Sequence, residues 1–157
     1  MEIMREILYG YDPSASRLEK FLRLLNENNI KYLLIGGYAV GYHGYPRATV
    51  DMDLWVATDK KNARKVVHVI RTFGFDVPEL SIQLFSDKKK IVRMGVPPIR
   101  IEIFSNLDGV DFRECYAKKI NDSIDGVPVK IIDLESLKKN KQASGRLKDL
   151  TDLEYLP

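Results

Sequence analysis

The segment KYLLIG, residues 31–36, is apolar from its second residue to the glycine that ends it. A run of this length is typical of a β-strand that is covered on both faces, because a half-exposed strand would alternate apolar with polar residues. Such a strand lies inside a sheet whose faces carry helices. The segment therefore predicts a layered structure of strands and helices.

The rest of the chain alternates between helical and extended patterns. Residues 16–29 and 59–74 repeat apolar side chains at helical spacing. The shorter predicted elements are strands over 51–57, 88–95 and 98–105, short helices over 37–44, 80–85 and 111–119, a hairpin at Asp125-Gly126, and closing helices from about residue 133. The expected fold class is α/β (or α+β), with a mixed sheet flanked by helices.

Length and composition describe an ordinary globular chain. The 157 residues predict a single domain over 1–157, and the 45% of hydrophobic residues argues against disorder. No apolar run approaches the roughly 20 residues of a membrane span, and the first residues lack an export pattern, so we expect a cytoplasmic protein without a membrane partner. The net charge of +3 suits a polyanionic substrate without requiring nucleic acid.

Two aspartates open the strand predicted over 51–57. Side chains alternate along a strand, so Asp51 and Asp53 point to the same face with Cα atoms roughly 6–7 Å apart. Paired carboxylates repel each other unless a cation lies between them, and their hard oxygens suit Mg²⁺ or Mn²⁺. For such a pair taken alone, solvated aspartates at a strand end are the more common explanation.

A glycine pair, Gly36-Gly37, follows the first strand directly. Glycine lets the backbone come close to a ligand, and free N–H groups at the start of a helix bind anions. A tight turn without a ligand is the more common explanation of an isolated glycine pair. Beside the carboxylate pair, however, this turn predicts a phosphate-binding loop next to a metal site.

A third carboxylate on a neighbouring strand would complete a two-metal centre, in which the metal ions lie about 3.5–4 Å apart. Glu102 is the best candidate, because isoleucines flank it in the strand predicted over 98–105. Asp108 and Asp111 are weaker candidates, because the sequence around them is typical of a loop.

The stretch LLIGGYAVGYHGYPRATVDMDLWV, residues 33–56, resembles the signature of the DNA polymerase β-type nucleotidyltransferase superfamily. That signature is a strand, a glycine pair, a short helix and Asp-x-Asp on the next strand. More narrowly, the stretch is similar to small nucleotidyltransferases related to abortive-infection toxins of toxin–antitoxin systems. A second segment, KQASGRLKDLTDLEYL at 141–156, resembles the closing helix pair of that family. Together the two segments extend the resemblance over most of the chain.

The resemblance implies a role for each matching residue. Asp51 and Asp53 are the implied catalytic ligands of Mg²⁺ or Mn²⁺, and Glu102 takes a third position where aspartate is more usual. In the closing segment, charged residues such as Arg146 and Asp149 pair with each other or with substrate. The implied nucleotide-binding residues are Gly36, Gly37, Arg47, Thr49 and Lys141.

The implied reaction moves a nucleoside monophosphate from a nucleoside triphosphate to an acceptor hydroxyl on RNA, a protein or a small molecule. An antitoxin-type protein partner fits the same resemblance. The alternative is a catalytically silent member of the fold that acts as an antitoxin or partner subunit, and the glutamate at position 102 keeps that alternative open. The modest net charge argues against a third reading, a nonspecific basic protein that binds nucleic acid.

Overall fold

The computed structural model describes residues 15–157 except 50, 88–89 and 97–98. The strands are β1 (Tyr32–Ile35), β2 (Asp51–Val56), β3 (Ile91–Val96), β4 (Ile99–Phe104), β5 (Ile120–Ile124) and β6 (Val127–Ile131). The helices are α1 (Ala15–Glu27), α2 (Gly36–Tyr42), α3 (Lys60–Phe73), α4 (Gln83–Ser86), α5 (Phe112–Ala117), α6 (Leu134–Ser144) and α7 (Leu147–Tyr155).

The six strands form one mixed sheet in the order β3-β4-β2-β1-β6-β5. β1 lies between β2, to which it is antiparallel, and β6, to which it is parallel. β2 continues parallel to β4, and the antiparallel strands β3 and β5 form the two edges. All four residues of β1 are buried, as the apolar run predicted.

The register of β1 and β2 separates the two faces of the sheet. Tyr32 pairs with Val56 while Ile35 pairs with Asp53, so the tyrosine and the aspartate point to opposite faces. Tyr32 donates a hydrogen bond of 2.9 Å to Asn26 on α1, which identifies its face as the one that α1 covers. α3 packs on α1, and the acidic side chains of β2 lie on the other side of the sheet.

The predicted fold class, a mixed sheet flanked by helices, is confirmed. The hairpin between β5 and β6 turns at Asp125 and Gly126, which both have positive φ as that dipeptide predicted. Residues 1–14, on which the expectation of no export signal depended, lie outside the described residues. Within the described part of the chain, no helix has the length and apolar character to cross a membrane. The single-domain organisation stays a prediction.

One buried polar side chain fastens α3 to the sheet. Asn62 accepts a hydrogen bond from the backbone N–H of Lys31 at 2.9 Å, and its amide donates to the carbonyl oxygens of Lys31 and Ala57 at 3.1 and 2.8 Å. These backbone groups lie just before β1 and just after β2. Asn62 therefore holds the start of β1 to the end of β2. The glycine pair and the aspartates lie at the opposite end of these two strands.

We expect Asn62→Ala to lower the free energy of unfolding by about 3 kcal/mol, because it leaves the N–H of Lys31 and the carbonyl oxygen of Ala57 without their partner, while the carbonyl oxygen of Lys31 keeps the hydrogen bond from the N–H of Ala57. Urea denaturation at pH 7 measures the change. The control is Asn121→Ala on the exposed side of β5, which should cost less than about 0.5 kcal/mol. Equal losses in both variants would contradict this role of Asn62.

Candidate active site

The pairing of β2 with β4 brings three carboxylates together. Asp53 stands beside Glu102 in the parallel register, and Asp51 points to the same face from two residues earlier. One oxygen of each residue lies within 4.8 Å of the others, which is close enough for a shared metal ion. The sequence-predicted ligands thus form one cluster on the sheet surface.

Asp53 is a member of the cluster whose charged form is disfavoured. Burial raises its pKa to about 7, and the negative charges of Glu102 and Asp51 add to that effect. The charges of Lys141 and Lys148 oppose it. Its Oδ1 atom is buried and has no hydrogen-bond partner among the described residues. An anionic Asp53 therefore calls for a cation.

Two arginines that the sequence analysis did not single out lie against the other two carboxylates. Arg100 binds both oxygens of Asp51, with Nε–Oδ1 at 2.6 Å and Nη2–Oδ2 at 2.9 Å. Arg93 lies 3.3 Å from Oε1 of Glu102. The alternation of side chains along β4 is enough to predict that Arg100 and Glu102 share a face. The contact of Arg100 with Asp51 could not be predicted in this way, because it depends on the register between two strands that are distant in sequence.

The arginines and the carboxylates set each other's charge. The Arg100 hydrogen bond lowers the pKa of Asp51. Burial and the hydrogen bond with Asp51 raise the pKa of Glu102, and Arg93 opposes that rise. The three side chains offer a divalent cation several carboxylate oxygens, including the unsatisfied Oδ1 of Asp53. This donor set fits Mg²⁺ or Mn²⁺, which prefer hard oxygen ligands.

The glycine pair lies directly against the acidic cluster. Gly36 has φ of +65°, and a Cβ atom on it would lie 2.2 Å from Oδ2 of Asp53. A Cβ atom on Gly37 would lie 2.8 Å from the side chain of Thr49 and 3.2 Å from Nη1 of Arg47. Only glycine at both positions leaves room for the aspartate on one side and the arginine on the other.

The closing helices bring a network of ion pairs behind the glycine turn. Arg47 binds both oxygens of Asp152 at 2.8 and 2.9 Å. Lys141 is buried and lies 3.1 Å from both Asp149 and Asp152. Arg146 also binds Asp149, at 2.8 Å. The pairing that the closing motif suggested is therefore present, and it involves two residues expected to bind nucleotide, Arg47 and Lys141.

Both aspartates of this network are held as anions. Burial would raise the pKa of Asp149, but hydrogen bonds from Arg146, Ser144 and Lys141 outweigh it and lower the pKa to about 2. Asp152 is likewise buried, and hydrogen bonds from Arg47 and Lys141 lower its pKa. The network joins the loop before β2 to α6 and α7, which fixes Arg47 beside Gly37.

Two further features surround the site. His43 lies with Nε2 at 2.7 Å from the carbonyl oxygen of Ile132, so that nitrogen donates to the backbone. A cleft of about 460 Å³ lies farther along β4, where its lining includes Phe104, two residues beyond Glu102 on the same face, but none of the three carboxylates. The sequence did not predict this cleft, since its lining comes from distant segments. That lining includes Lys90, Ile91, Phe104, Asn106, Asn140 and Arg146.

The chain was compared with models of known protein families and with curated proteins. The model of a family described as nucleotidyl transferase of unknown function (DUF2204) matches residues 14–156. A search of the curated proteins finds no significant match.

Two solved structures are similar to this chain. A proposed nucleotidyltransferase from Thermotoga maritima has a TM-score of 0.61 at 18% identity, covering 91% of this chain and 92% of its own. An antigenic nucleotidyltransferase-like protein from Paracoccidioides brasiliensis has a TM-score of 0.54 at 21% identity, covering 92% of this chain and 73% of its own. At these identities the two structures establish the fold alone.

We expect Gly36→Ala to lower the free energy of unfolding by about 3 kcal/mol, for two reasons. The alanine must adopt a left-handed backbone conformation, and its methyl group must push Asp53 aside. The matched control is Gly126→Ala, where φ is +79° and no atom lies within 4 Å of the added carbon. That variant should lose only about 1 kcal/mol, the backbone cost alone. Chemical denaturation of both variants measures the difference, and equal losses would contradict the contact with Asp53.

The raised pKa of Asp53 predicts a pH-dependent stability. The folded protein keeps a proton on Asp53 that the unfolded chain releases near pH 4, so the free energy of unfolding falls between about pH 4 and about pH 7. In the presence of EDTA, Asp53→Asn should therefore melt roughly 3 °C or more above the wild type at pH 8, and the gap should close towards pH 4.

The comparison variant for this measurement is Asp51→Asn. Because Asp51 is paired with Arg100 and its pKa is lowered, this change should destabilise the protein at pH 8. Thermal unfolding monitored by circular dichroism across the pH range gives both results. A loss of stability in Asp53→Asn at pH 8 would show that the charged form of Asp53 is not disfavoured in the folded protein.

Proposed function

Because this chain belongs to the family described as nucleotidyl transferase of unknown function, we propose that it is a metal-dependent nucleotidyltransferase. The observation that carries the proposal is the cluster of Asp51, Asp53 and Glu102, which lies directly against the glycine pair. A carboxylate cluster that can hold a divalent cation is what transfer between phosphates requires, and the glycine pair lets Asp53 and Arg47 pack against the backbone beside that cluster.

In the proposed reaction, an acceptor hydroxyl attacks the α-phosphorus of a nucleoside triphosphate. The bond from that phosphorus to the oxygen bridging to the β-phosphate breaks, and pyrophosphate leaves. The hydroxyl proton passes to solvent, and no protein base is assigned, because a divalent cation beside the acceptor would lower the pKa of its hydroxyl. When bound by the three carboxylates, Mg²⁺ or Mn²⁺ would supply the charge that stabilises the reacting phosphate oxygens.

The remaining predicted residues have supporting roles in this proposal. In this proposal the triphosphate approaches the backbone at Gly36 and Gly37, and Thr49 lies beside Gly37 together with Arg47. Arg47 and Lys141 contribute positive charge from behind the turn while Asp152 holds them in place. The cleft farther along β4, with Lys90 and Arg146 in its lining, is large enough for part of a nucleotide.

The finer features also belong to the proposal. The acceptor is a hydroxyl of RNA, a protein or a small molecule, and the protein acts in the cytoplasm. The toxin–antitoxin connection, with an antitoxin-type protein partner, is supported by the sequence resemblance alone.

A second candidate is a binding module without turnover, and one observation favours it. Arg100 and Arg93 already pair with Asp51 and Glu102, so two of the three carboxylates have cationic partners within the chain. In this alternative the fold binds a nucleoside triphosphate without transferring it.

The experiment that separates the two candidates incubates the protein with each α-labelled nucleoside triphosphate, Mg²⁺ or Mn²⁺, and total RNA, cell proteins or small-molecule extract in separate reactions. We expect transfer to one acceptor class, and at least about a 100-fold loss of transfer in the double variant Asp51→Asn, Asp53→Asn. The control double variant, Glu79→Gln with Glu154→Gln, removes two exposed carboxylates and should keep full transfer.

Each result has a defined meaning. Transfer by the wild type that the aspartate variant loses supports the enzyme, and the labelled fraction gives the acceptor class. Triphosphate binding without transfer in any reaction supports the binding module. Transfer that survives in the aspartate variant would contradict the proposed site.

A further inference from the structure

We propose that Arg100 is a resident cation of the acidic cluster, so that this site takes one divalent metal ion rather than the two that three clustered carboxylates suggest. The inference rests on the proposed function, because it concerns how the same site is loaded. Its basis is the position of Arg100 in the sheet and the balance of charge around the cluster.

The backbone fixes the contact between Arg100 and Asp51. Arg100 is the direct register partner of Asp51 in the parallel pairing of β4 with β2, so the two side chains leave the same face next to each other. The guanidinium binds both carboxylate oxygens, at 2.6 and 2.9 Å, in the two-pronged geometry that arginine forms with carboxylates. The pair is largely shielded from water, with 28% of the arginine side chain and 18% of the aspartate side chain exposed.

A second metal ion would compete with this pair for the same atoms. Two metal ions about 3.5–4 Å apart need carboxylates that bridge them. Both oxygens of Asp51 already accept hydrogen bonds from Arg100, and Oε1 of Glu102 lies 3.3 Å from Arg93. Among the described residues of the cluster, Asp53 alone has a buried oxygen without a partner. The donors that are free suffice for one ion.

The formal charges lead to the same number. Three carboxylates face two guanidinium groups, which leaves an excess of one negative charge. One divalent ion reverses that excess to one positive charge. Before any substrate binds, a second divalent ion would leave three positive charges in a space of a few ångströms, and their repulsion opposes its binding.

Arg100 also has donors to spare for a substrate. A guanidinium carries five N–H groups, and the pair with Asp51 uses one from Nε and one from Nη2. The arginine side chain is 28% exposed, which leaves it accessible to a ligand. In this arrangement the arginine supplies the second positive charge that the reacting phosphate needs, without a second metal ion.

The test titrates Mn²⁺ alone into EDTA-stripped protein and follows bound metal by isothermal calorimetry and electron paramagnetic resonance. We expect one Mn²⁺ per wild-type chain. Arg100→Gln should either bind two or bind the first at least about 10-fold more tightly, because the competing hydrogen-bond pair is gone. Arg100→Lys keeps the positive charge and should still bind one.

The matched control is Arg71→Gln. Arg71 lies on α3, away from the cluster, and this change breaks its pair with Asp76, which follows that helix. It should bind Mn²⁺ as the wild type does. Circular dichroism of each variant confirms that the fold is retained, and if the glutamine variant does not fold, the number of Mn²⁺ ions on the wild-type chain still decides between one ion and two.

Several results would overturn the inference: two Mn²⁺ ions on the wild-type chain, no Mn²⁺ on any of the proteins, or identical binding by the wild type and Arg100→Gln. The proposed function fails separately. A wild type that binds one Mn²⁺ but transfers no nucleotide would keep the inference and reject the enzyme, whereas two bound ions with active transfer would do the reverse.

Discussion

Mutual repulsion among three carboxylates on one patch of sheet is the constraint to which the surrounding structure responds. Asp51 and Asp53 leave β2 on the same face, and the register adds Glu102 beside them. Burying such charges is costly unless each finds a partner. Arg100 and Arg93 supply partners from the neighbouring strands, and the lysines of the closing helices act on Asp53 from the other side. The negative charge without an arginine partner is that of Asp53, next to the glycine pair.

The ion pairs behind the turn have a different character from those in the cluster. Asp149 and Asp152 are both about 1% exposed, and each binds two cationic side chains. Buried pairs of this kind add little to net stability, but removal of one partner is expensive because it leaves a charge alone. Their value here is positional, since they determine where Arg47 and Lys141 lie relative to Gly37. The fold thus separates a rigid network that positions residues from a cluster that is ready to accept a cation.

The sequence predicted local features well and distant contacts poorly. The apolar run of β1, the helical spacing of α3 and the hairpin at Asp125-Gly126 are local signals, and all three elements are present. That Glu102 joins the aspartates was expected from its place in a strand pattern and from the family resemblance, and the geometry agrees. The partner of Asp51 was missed, because no local pattern gives the register between β2 and β4. The burial of Lys141 was also missed, since it follows from how α6 packs on α7.

The order of the site residues along the chain has a consequence for protein synthesis. Arg47, Gly36 and the aspartates of β2 leave the ribosome long before Asp149 and Asp152, the counter-ions in α7. Until those residues emerge, Arg47 and Lys141 have no carboxylate partners in the arrangement described. A nascent chain therefore holds the carboxylates and the glycine pair before the ion pairs that position Arg47 and Lys141 can form. Assembly of those ion pairs waits for the folding of α7.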